Sequence, residues 1–225
     1  MSIYAISDLH LSFHTNKPMN IFGSIWDHYE ERVKENWIKK VKNQDLVLLP
    51  GDFSWETHLK DTFLDFQFIE QLPGKKLLLK GNHDYWWSTL AKMRAYVGEH
   101  FENIDFLYNN SYFFENHIIA GTRGWSHPVS EEDEKIVERE KIRLKLSLED
   151  GIQKYGNQFP IIVCMHYPPE PEFVEIMKQY PVKKCIYGHL HGSAHKNVKE
   201  GIIDGIEWIM VSCDYTNFDL IPIVP

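Results

Sequence analysis

Gly81-Asn82-His83-Asp84 lies between the apolar run Leu77-Leu78-Leu79 and a stretch in which Leu90, Met93 and Val97 recur at helical spacing. A strand, a Gly-led turn and a helix is the local order in which an open α/β sheet offers side chains beyond its carboxyl edge. The same order recurs on either side of it. Asp8-Leu9-His10 and Gly51-Asp52 precede it, and His166 and Gly188-His189-Leu190-His191 follow it, each after a short run of Ile, Leu, Val or Tyr. Two Asp, one Asn and four His are thereby gathered at the ends of strands. Carboxylate, amide oxygen and imidazole form a mixed O/N donor set. Such a set suits a pair of divalent metals better than one structural zinc, which takes mainly Cys and His.

The elements between these pieces follow from hydrophobic period. Ile3–Ser7, Leu46–Leu49 and Lys75–Lys80 read as buried strands. Trp26, Tyr29, Val33, Trp37 and Val41 share one helix face, with Ser24-Ile25-Trp26-Asp27 as a capping box before it. Leu59, Phe63, Phe66 and Ile69 mark a second helix, and Leu90, Met93 and Val97 a third. This βαβαβα order predicts a parallel sheet with helices on both faces.

Short strands follow at Ile104–Tyr108, Tyr112–Glu115 and His117–Gly121, broken by Asn109-Asn110 and Asn116. Asn at such breaks favours tight turns. Ser130-Glu131-Glu132-Asp133 is a capping box with acid in the first turn. Ile142, Leu144, Leu146 and Leu148 alternate like a strand, whereas Val137, Leu144, Leu148, Ile152 and Tyr155 fit a helix. The cap, and the lack of Gly or Pro before Gly151, favour the helix. Strands at Ile161–Met165 and Cys185–Tyr187 flank a helix near Pro171–Gln179. The end reads as antiparallel strands at Lys196–Lys199, Glu207–Ser212 and Leu220–Val224.

The chain has 225 residues, 43% of them hydrophobic, enough to bury a sizeable core in one domain over 1–225. Residues 122–156 interrupt the strand-helix order and read as a cap or specificity segment. The net charge is −8, so no global attraction for nucleic acid or an anionic membrane is expected. No apolar run approaches the roughly 20 residues that span a bilayer. The start, Met1-Ser2-Ile3-Tyr4, reads as a strand and not a signal peptide. Cys164, Cys185 and Cys213 sit in or beside apolar strand-like runs, as buried free thiols of a cytoplasmic protein do.

In its order D-x-H, G-D, G-N-H-D, V-x-x-H, G-H-x-H, the chain resembles the calcineurin-like metallophosphoesterases. The motifs run from Asp8 to His191, most of the chain. The resemblance implies a four-layer αββα sandwich, an α/β fold of two mixed sheets flanked by helices. It implies two divalent ions, drawn from Mn, Fe, Zn or Mg. One would take Asp8, His10, Asp52 and His191, the other Asp52, Asn82, His166 and His189, with Asp52 bridging. Two ions give +4, two Asp ligands −2 and a bridging hydroxide −1, so the centre attracts phosphate even on an acidic protein. The resemblance further implies that His83 protonates the leaving oxygen while Asp84 orients its imidazole.

Other residues are read from their surroundings. Arg123 and Trp125, on the loop Gly121-Thr122-Arg123-Gly124-Trp125, are candidates for contacting a small phosphorylated substrate. His14 and His127 are weaker candidates for the cleft, as are Trp86 and Trp87, whereas Trp26 and Trp37 read as core. His28, His58, His100, His117 and His195 have no partner pattern.

Departures from subfamily patterns narrow the class. Gly51-Asp52-Phe53-Ser54-Trp55 lacks the second acid of the protein phosphatases and the Tyr ligand of purple acid phosphatases. His83 replaces the Arg typical of the lipid-A precursor hydrolases. A phosphohydrolase acting on mono- or diesters is the leading expectation. The alternatives are a nuclease or cyclic nucleotide phosphodiesterase, and a silent scaffold of this fold.

Overall fold

The computed structural model describes residues 1–126 and 128–225. Strands β1 (Ile3–Ala5), β2 (Leu46–Pro50), β3 (Lys75–Leu79) and β4 (Ile104–Leu107) run parallel, and β11 (Ile221–Val224) pairs antiparallel with β1. In the second sheet, β6 (His117–Thr122), β7 (Ile161–Met165), β8 (Val182–Tyr187) and β10 (Ile206–Met210) run parallel. There β5 (Tyr112–Phe114) and β9 (Gly201–Ile203) form antiparallel edges. The spatial orders are β11-β1-β2-β3-β4 and β5-β6-β7-β8-β10-β9. Helices are α1 (Tyr29–Lys40), α2 (Phe63–Glu70), α3 (Leu90–Gly98), α4 (Glu131–Tyr155) and α5 (Pro171–Met177).

Period-2 alternation explains how the sheets stack. In β2, Leu46 and Leu48 face one cluster while Val47 and Leu49 face another. In β7, Ile162 and Cys164 join Leu46 and Leu48, while Ile161, Val163 and Met165 turn the other way. The shared cluster is the dry layer between the sheets. The outer face of the first sheet is covered by Tyr29, Val33 and Trp37 of α1, Phe66 and Ile69 of α2, and Met93 and Val97 of α3. That of the second is covered by Val137, Leu144 and Leu148 of α4 and Phe173, Val174, Ile176 and Met177 of α5. The result is the αββα sandwich, two mixed sheets flanked by helices.

Several expectations need correction. Helices do not lie on both faces of the first sheet, because its other face is already covered by the second sheet. Ser24 does not cap α1: residues 24–26 form a 3-10 turn, and α1 starts at Tyr29 after a left-handed His28. Residues 192–197 are 3-10 turns, not a strand. The end is antiparallel only in part: β9 and β10 pair antiparallel, but β10 also pairs parallel with β8, and β11 crosses to the first sheet, where it runs antiparallel to β1.

α4 is a single helix, as its apolar stripe requires. Ser130 Oγ accepts from the Asp133 amide at 3.1 Å. Ile142 and Leu146, which belong only to the strand-like alternation, are exposed. Asn109 and Asn116 take the positive φ of turns, 59° and 60°.

Candidate metal centre

The site is assembled at the carboxyl ends of both sheets. Asp8, Asp52 and Asn82 follow β1, β2 and β3. His166 follows β7, and His189 and His191 follow β8. Each chain must turn sharply as it leaves its strand. Asp8, His10, Asp52 and His189 all have positive φ, at 60°, 47°, 50° and 73°. Non-Gly residues in this region carry a cost of about 1–3 kcal/mol each, and such strain clusters at functional sites. Two motif glycines are required by close approach. A Cβ on Gly81 would lie 2.0 Å from Asp52 Oδ1, and one on Gly188 would lie 2.3 Å from Asp8 Oδ2.

The donor atoms fall into two groups. In the first, His191 Nε2 is 3.3 Å from Asp8 Oδ1 and 3.4 Å from His10 Nε2. In the second, Asn82 Oδ1 is 2.6 Å from His166 Nε2 and 3.0 Å from His189 Nδ1. Asp52 Oδ2 stands between them, 3.8 Å from His10 Nε2 and 3.5 Å from His166 Nε2. Ligand atoms of Asp8, His10 and His191 lie within 4.8 Å of one another, as do those of Asp8, Asp52 and His166.

Partners on the far side of two rings set which nitrogen faces the centre. His166 Nδ1 is 3.2 Å from the Pro50 carbonyl, and His191 Nδ1 is 2.8 Å from Asp214 Oδ1. The Pro50 carbonyl holds the proton of His166 on Nδ1 and leaves its Nε2 as a lone pair, and Asp214 would do the same for His191 once a cation takes the place of its Nε2 proton. Acceptor atoms of His166, Asn82 and Asp52 then converge, with His189 Nδ1 3.0 Å from Asn82 Oδ1. That is a cradle for a cation, and the donor set fits divalent ions.

The electrostatics agree. Burial holds His166 down to about 3 and His189 down to about 4, so both are neutral, as metal ligands must be. Burial likewise lowers His10. Burial, together with the nearby Asp84 and Asp8 carboxylates, pushes Asp52 well up. His191 differs: burial alone would lower it, but hydrogen bonds to Asp214 and Asp8 outweigh this and lift it to about 10. Burial acts against Asp8 too, yet His191 holds it below the usual carboxylate range. A divalent cation would take the place of the His191 proton on Nε2 and favour the ionised form of Asp52.

His83 lies at the mouth of this cluster. Its ring centroid is 4.5 Å from Trp55 and 5.7 Å from His10, and its buried Nδ1 has no hydrogen-bond partner among the described residues. Asp84 therefore does not orient it. Asp84 is fully buried and accepts from the amides of Asp52 (3.0 Å), Phe53 (3.0 Å), Ser54 (3.2 Å) and Gly81 (2.7 Å) and from Trp86 Nε1 (3.0 Å). It clips the two loops that carry Asp52 and Asn82, and so has no oxygen to spare for His83.

The Arg123 side chain turns away from the donors. Its guanidinium is 3.6 Å from buried Glu140 of α4 and sits over Trp125, 5.0 Å from the ring centroid. What Arg123 gives the site is its carbonyl, which accepts from the His166 and Tyr167 amides at 3.1 and 3.0 Å. Trp125 packs on Tyr167. Trp86 is core beside Asp84, and Trp87 packs on Phe106 and Tyr108. His14 faces Glu56 and solvent. His127 lies outside the described residues.

A cleft of about 460 Å³ opens beside His10, His83 and His191. Its far wall comes from Met19, Phe22, Ile25, Trp26 and Trp55, and among the described residues none that lines it comes from 122–156. Trp26 is buried, as expected of core, but also edges this cleft. Sequence reasoning missed Asp214, Trp55 and His195. Asp214 supports His191, and its Oδ2 lies 3.2 Å from His195 Nε2. Its one local signal is its place just beyond β10, which runs parallel to β8.

The family model of the calcineurin-like phosphoesterases matches residues 1–193, and the chain belongs to that family. No curated protein sequence matches significantly. Solved structures share the fold. A protein of unknown function from Aquifex aeolicus is 20% identical over 98% of this chain and 95% of its own, with a TM-score of 0.53. A phosphopantetheinyl hydrolase from Mycobacterium tuberculosis is 14% identical over 100% and 96%, with a TM-score of 0.60. A protein from Thermus thermophilus is 13% identical over 99% and 97%, with a TM-score of 0.61. Among the described residues no helix is long and apolar enough to cross a membrane.

Proposed function

We propose that this chain is a dinuclear-metal phosphohydrolase that cleaves a phosphate mono- or diester of a small substrate. The observation that carries the reading is the position of Asp52 Oδ2, within 3.8 Å of His10 Nε2 and 3.5 Å of His166 Nε2. One carboxylate oxygen serves both donor groups, as a bridging ligand does. Asp8, His10, Asp52 and His191 would hold one divalent ion. Asp52, Asn82, His166 and His189 would hold the other, with Mn, Fe, Zn or Mg compatible with these donors. When bound, such ions supply Lewis acidity that activates water and offsets phosphoryl charge.

The chain's own residues do the rest. Asp84 fixes the loops of Asp52 and Asn82 through five N–H donors. Pro50 and Asp214 orient His166 and His191. His83, half-buried at the cleft mouth with no partner on Nδ1, gives a proton to the leaving oxygen. Three unpaired buried thiols suit a cytoplasmic protein.

The test is metal analysis combined with turnover of an aryl phosphate. The native chain is expected to hold two ions, lose activity on chelation and regain it with Mn²⁺. Asp52→Asn is expected to lose at least one ion and nearly all turnover. Turnover that survives complete demetallation would end the reading. Two bound ions without turnover of any phosphoester would instead favour a silent scaffold.

A further inference from the structure

The cleft beside His83 has a composition that selects its occupant. Its wall is built by the two 3-10 turns Met19–Phe22 and Ser24–Trp26 together with Trp55. Among the described residues, none that lines it is Lys or Arg. Lys17 approaches the Trp55 ring, 5.5 Å from its centroid, but does not line the cleft. A nucleoside polyphosphate, or any substrate with a second anionic group, would find no Lys or Arg along the apolar wall, where the lining is Met19, Phe22, Ile25, Trp26 and Trp55. Polar groups are confined to the metal end, at His10, His83, His191, His195 and Asp214.

The apolar wall is held in shape, not collapsed. Trp55 Nε1 donates to Met19 Sδ at 3.0 Å, and the Trp55 ring stacks on His10 with centroids 4.6 Å apart. Trp26 packs edge-on against Tyr29 and Phe218. The apolar surface then continues outward, since Phe22 is 63% and Ile25 45% exposed. Large apolar side chains kept open on a cavity that ends at a reacting centre stabilise an apolar ligand by removing its surface from water.

Resting on the phosphohydrolase reading, we propose that the leaving group is an apolar alcohol, alkyl or aryl, seated against Trp55, Trp26, Ile25 and Phe22. His83 borders the cleft, so the side of the substrate that receives its proton is the side the apolar wall holds. In the reaction the oxygen of water bonds to phosphorus and the bond from phosphorus to the alcohol oxygen breaks. That oxygen takes the His83 proton, and the alcohol leaves along the apolar wall. The water's remaining proton restores His83 or passes to solvent.

The experiment compares ethyl, butyl and octyl phosphate on the Mn²⁺-loaded protein, with phenyl phosphate as the aryl arm. The alkyl leaving groups have similar basicity, so the ratio of kcat/KM reads the cleft and not the chemistry. Octyl phosphate is expected to exceed ethyl phosphate by about 10²-fold, as burial of added methylenes predicts. The double substitution Phe22→Ser with Ile25→Ser, checked for folding by circular dichroism, is expected to cut that ratio about 10-fold. A flat series, or a ratio unchanged by the double substitution, overturns the proposal.

If no ester is turned over, the phosphohydrolase reading fails by itself. The cleft is then read by Trp fluorescence on titrating octylphosphonate against ethylphosphonate. Tighter binding of the octyl compound retains the apolar site, and equal binding removes it.

Discussion

The two sheets contribute unlike halves to the centre. The first supplies mainly oxygen: Asp8, Asp52 and Asn82. The second supplies nitrogen: His166, His189 and His191. The oxygen half is held by backbone. Asp84 gathers amides from residues 52, 53, 54 and 81, while Asp52 Oδ1 accepts from the His83 amide at 2.8 Å and Asp8 accepts from the His189 amide at 3.1 Å. The nitrogen half is aimed by single remote partners, Pro50 for His166 and Asp214 for His191. A carboxylate sharing several amides is fixed in position, whereas a ring held by one bond is fixed in tautomer and angle. Damage should therefore differ: loss of loop structure on one side, loss of metal affinity on the other.

His83 belongs to neither half's donor set, so it gives the largest effect on chemistry with the least on assembly. His83→Ala is expected to keep both metals and lower kcat by about 10²–10⁴. The loss should be greatest for esters with basic leaving groups. Steady-state kinetics on an alkyl and a nitrophenyl ester decides it: equal losses on both would leave His83 only a positioning role, and loss of metal would make it a ligand.

Asp84→Ala should break the oxygen half. Five donors lose their acceptor, four of them backbone amides in a buried loop pair. Removing the acceptor from buried groups costs about 1–3 kcal/mol for each one left unpaired, so about 3–5 kcal/mol is expected after loop relaxation. Thermal unfolding of the apoprotein measures it. A drop under about 1 kcal/mol would mean that the loops are set by their strands alone.

This contrast also explains what was legible in the sequence. The ligands of both halves are encoded locally. Gly81 and Gly188 stand where a Cβ cannot, and the ligand follows the strand within a few residues, so G-N-H-D and G-H-x-H announce the site. Strands and the α4 helix were visible through apolar runs, helical spacing and the Ser130 cap, whereas the two-sheet αββα stacking came only from the family resemblance. Remote partners were not. Asp214 lies 23 residues beyond His191 and meets it only because β10 lies parallel beside β8. Arg123 read as a substrate contact because it sits on a Gly-flanked loop after a strand, but its guanidinium lies 3.6 Å from Glu140 of α4, a partner 17 residues away that local sequence does not show. The family resemblance assigns Asp84 to His83, whereas its carboxylate accepts from the amides of residues 52, 53, 54 and 81. The strand expected at Lys196–Lys199 failed because local propensity does not register the 3-10 turns over Gly192–Asn197 that leave His191.

A second buried carboxylate sharpens the oxygen half through pH. Asp65 accepts from the Phe13 amide at 3.0 Å and from Ser54 Oγ, bracing the loop after Asp52. Burial raises it from 3.8 to about 6. The folded state then holds more proton than the unfolded state between these values. Its contribution is thus present at low pH and lost as pH rises through about 4 to 6. A rise of that size corresponds to at most about 3 kcal/mol. Urea unfolding of the metal-free protein should show Asp65→Asn losing less stability than the native chain across that window. Parallel pH profiles would refute a raised Asp65.

Asp214→Asn probes the nitrogen half and should have the smallest effect. The amide keeps most of the packing and can still meet His191 Nδ1, but as a weaker acceptor, and it no longer offers the charge that holds the proton on that side. The ring can then adopt the other tautomer, which turns a proton towards the donors. Altering such an outer partner typically costs about 10–100-fold in metal affinity. Because Asp214 clips no backbone amide except Gly192 (3.2 Å), the apoprotein should unfold within about 1 kcal/mol of the native chain. Competition against a chelator measures one quantity and thermal unfolding the other. Weakened metal binding with unchanged apoprotein stability is the signature of aim without scaffold. Loss of apoprotein stability comparable to that of Asp84→Ala would mean that the two halves are held alike.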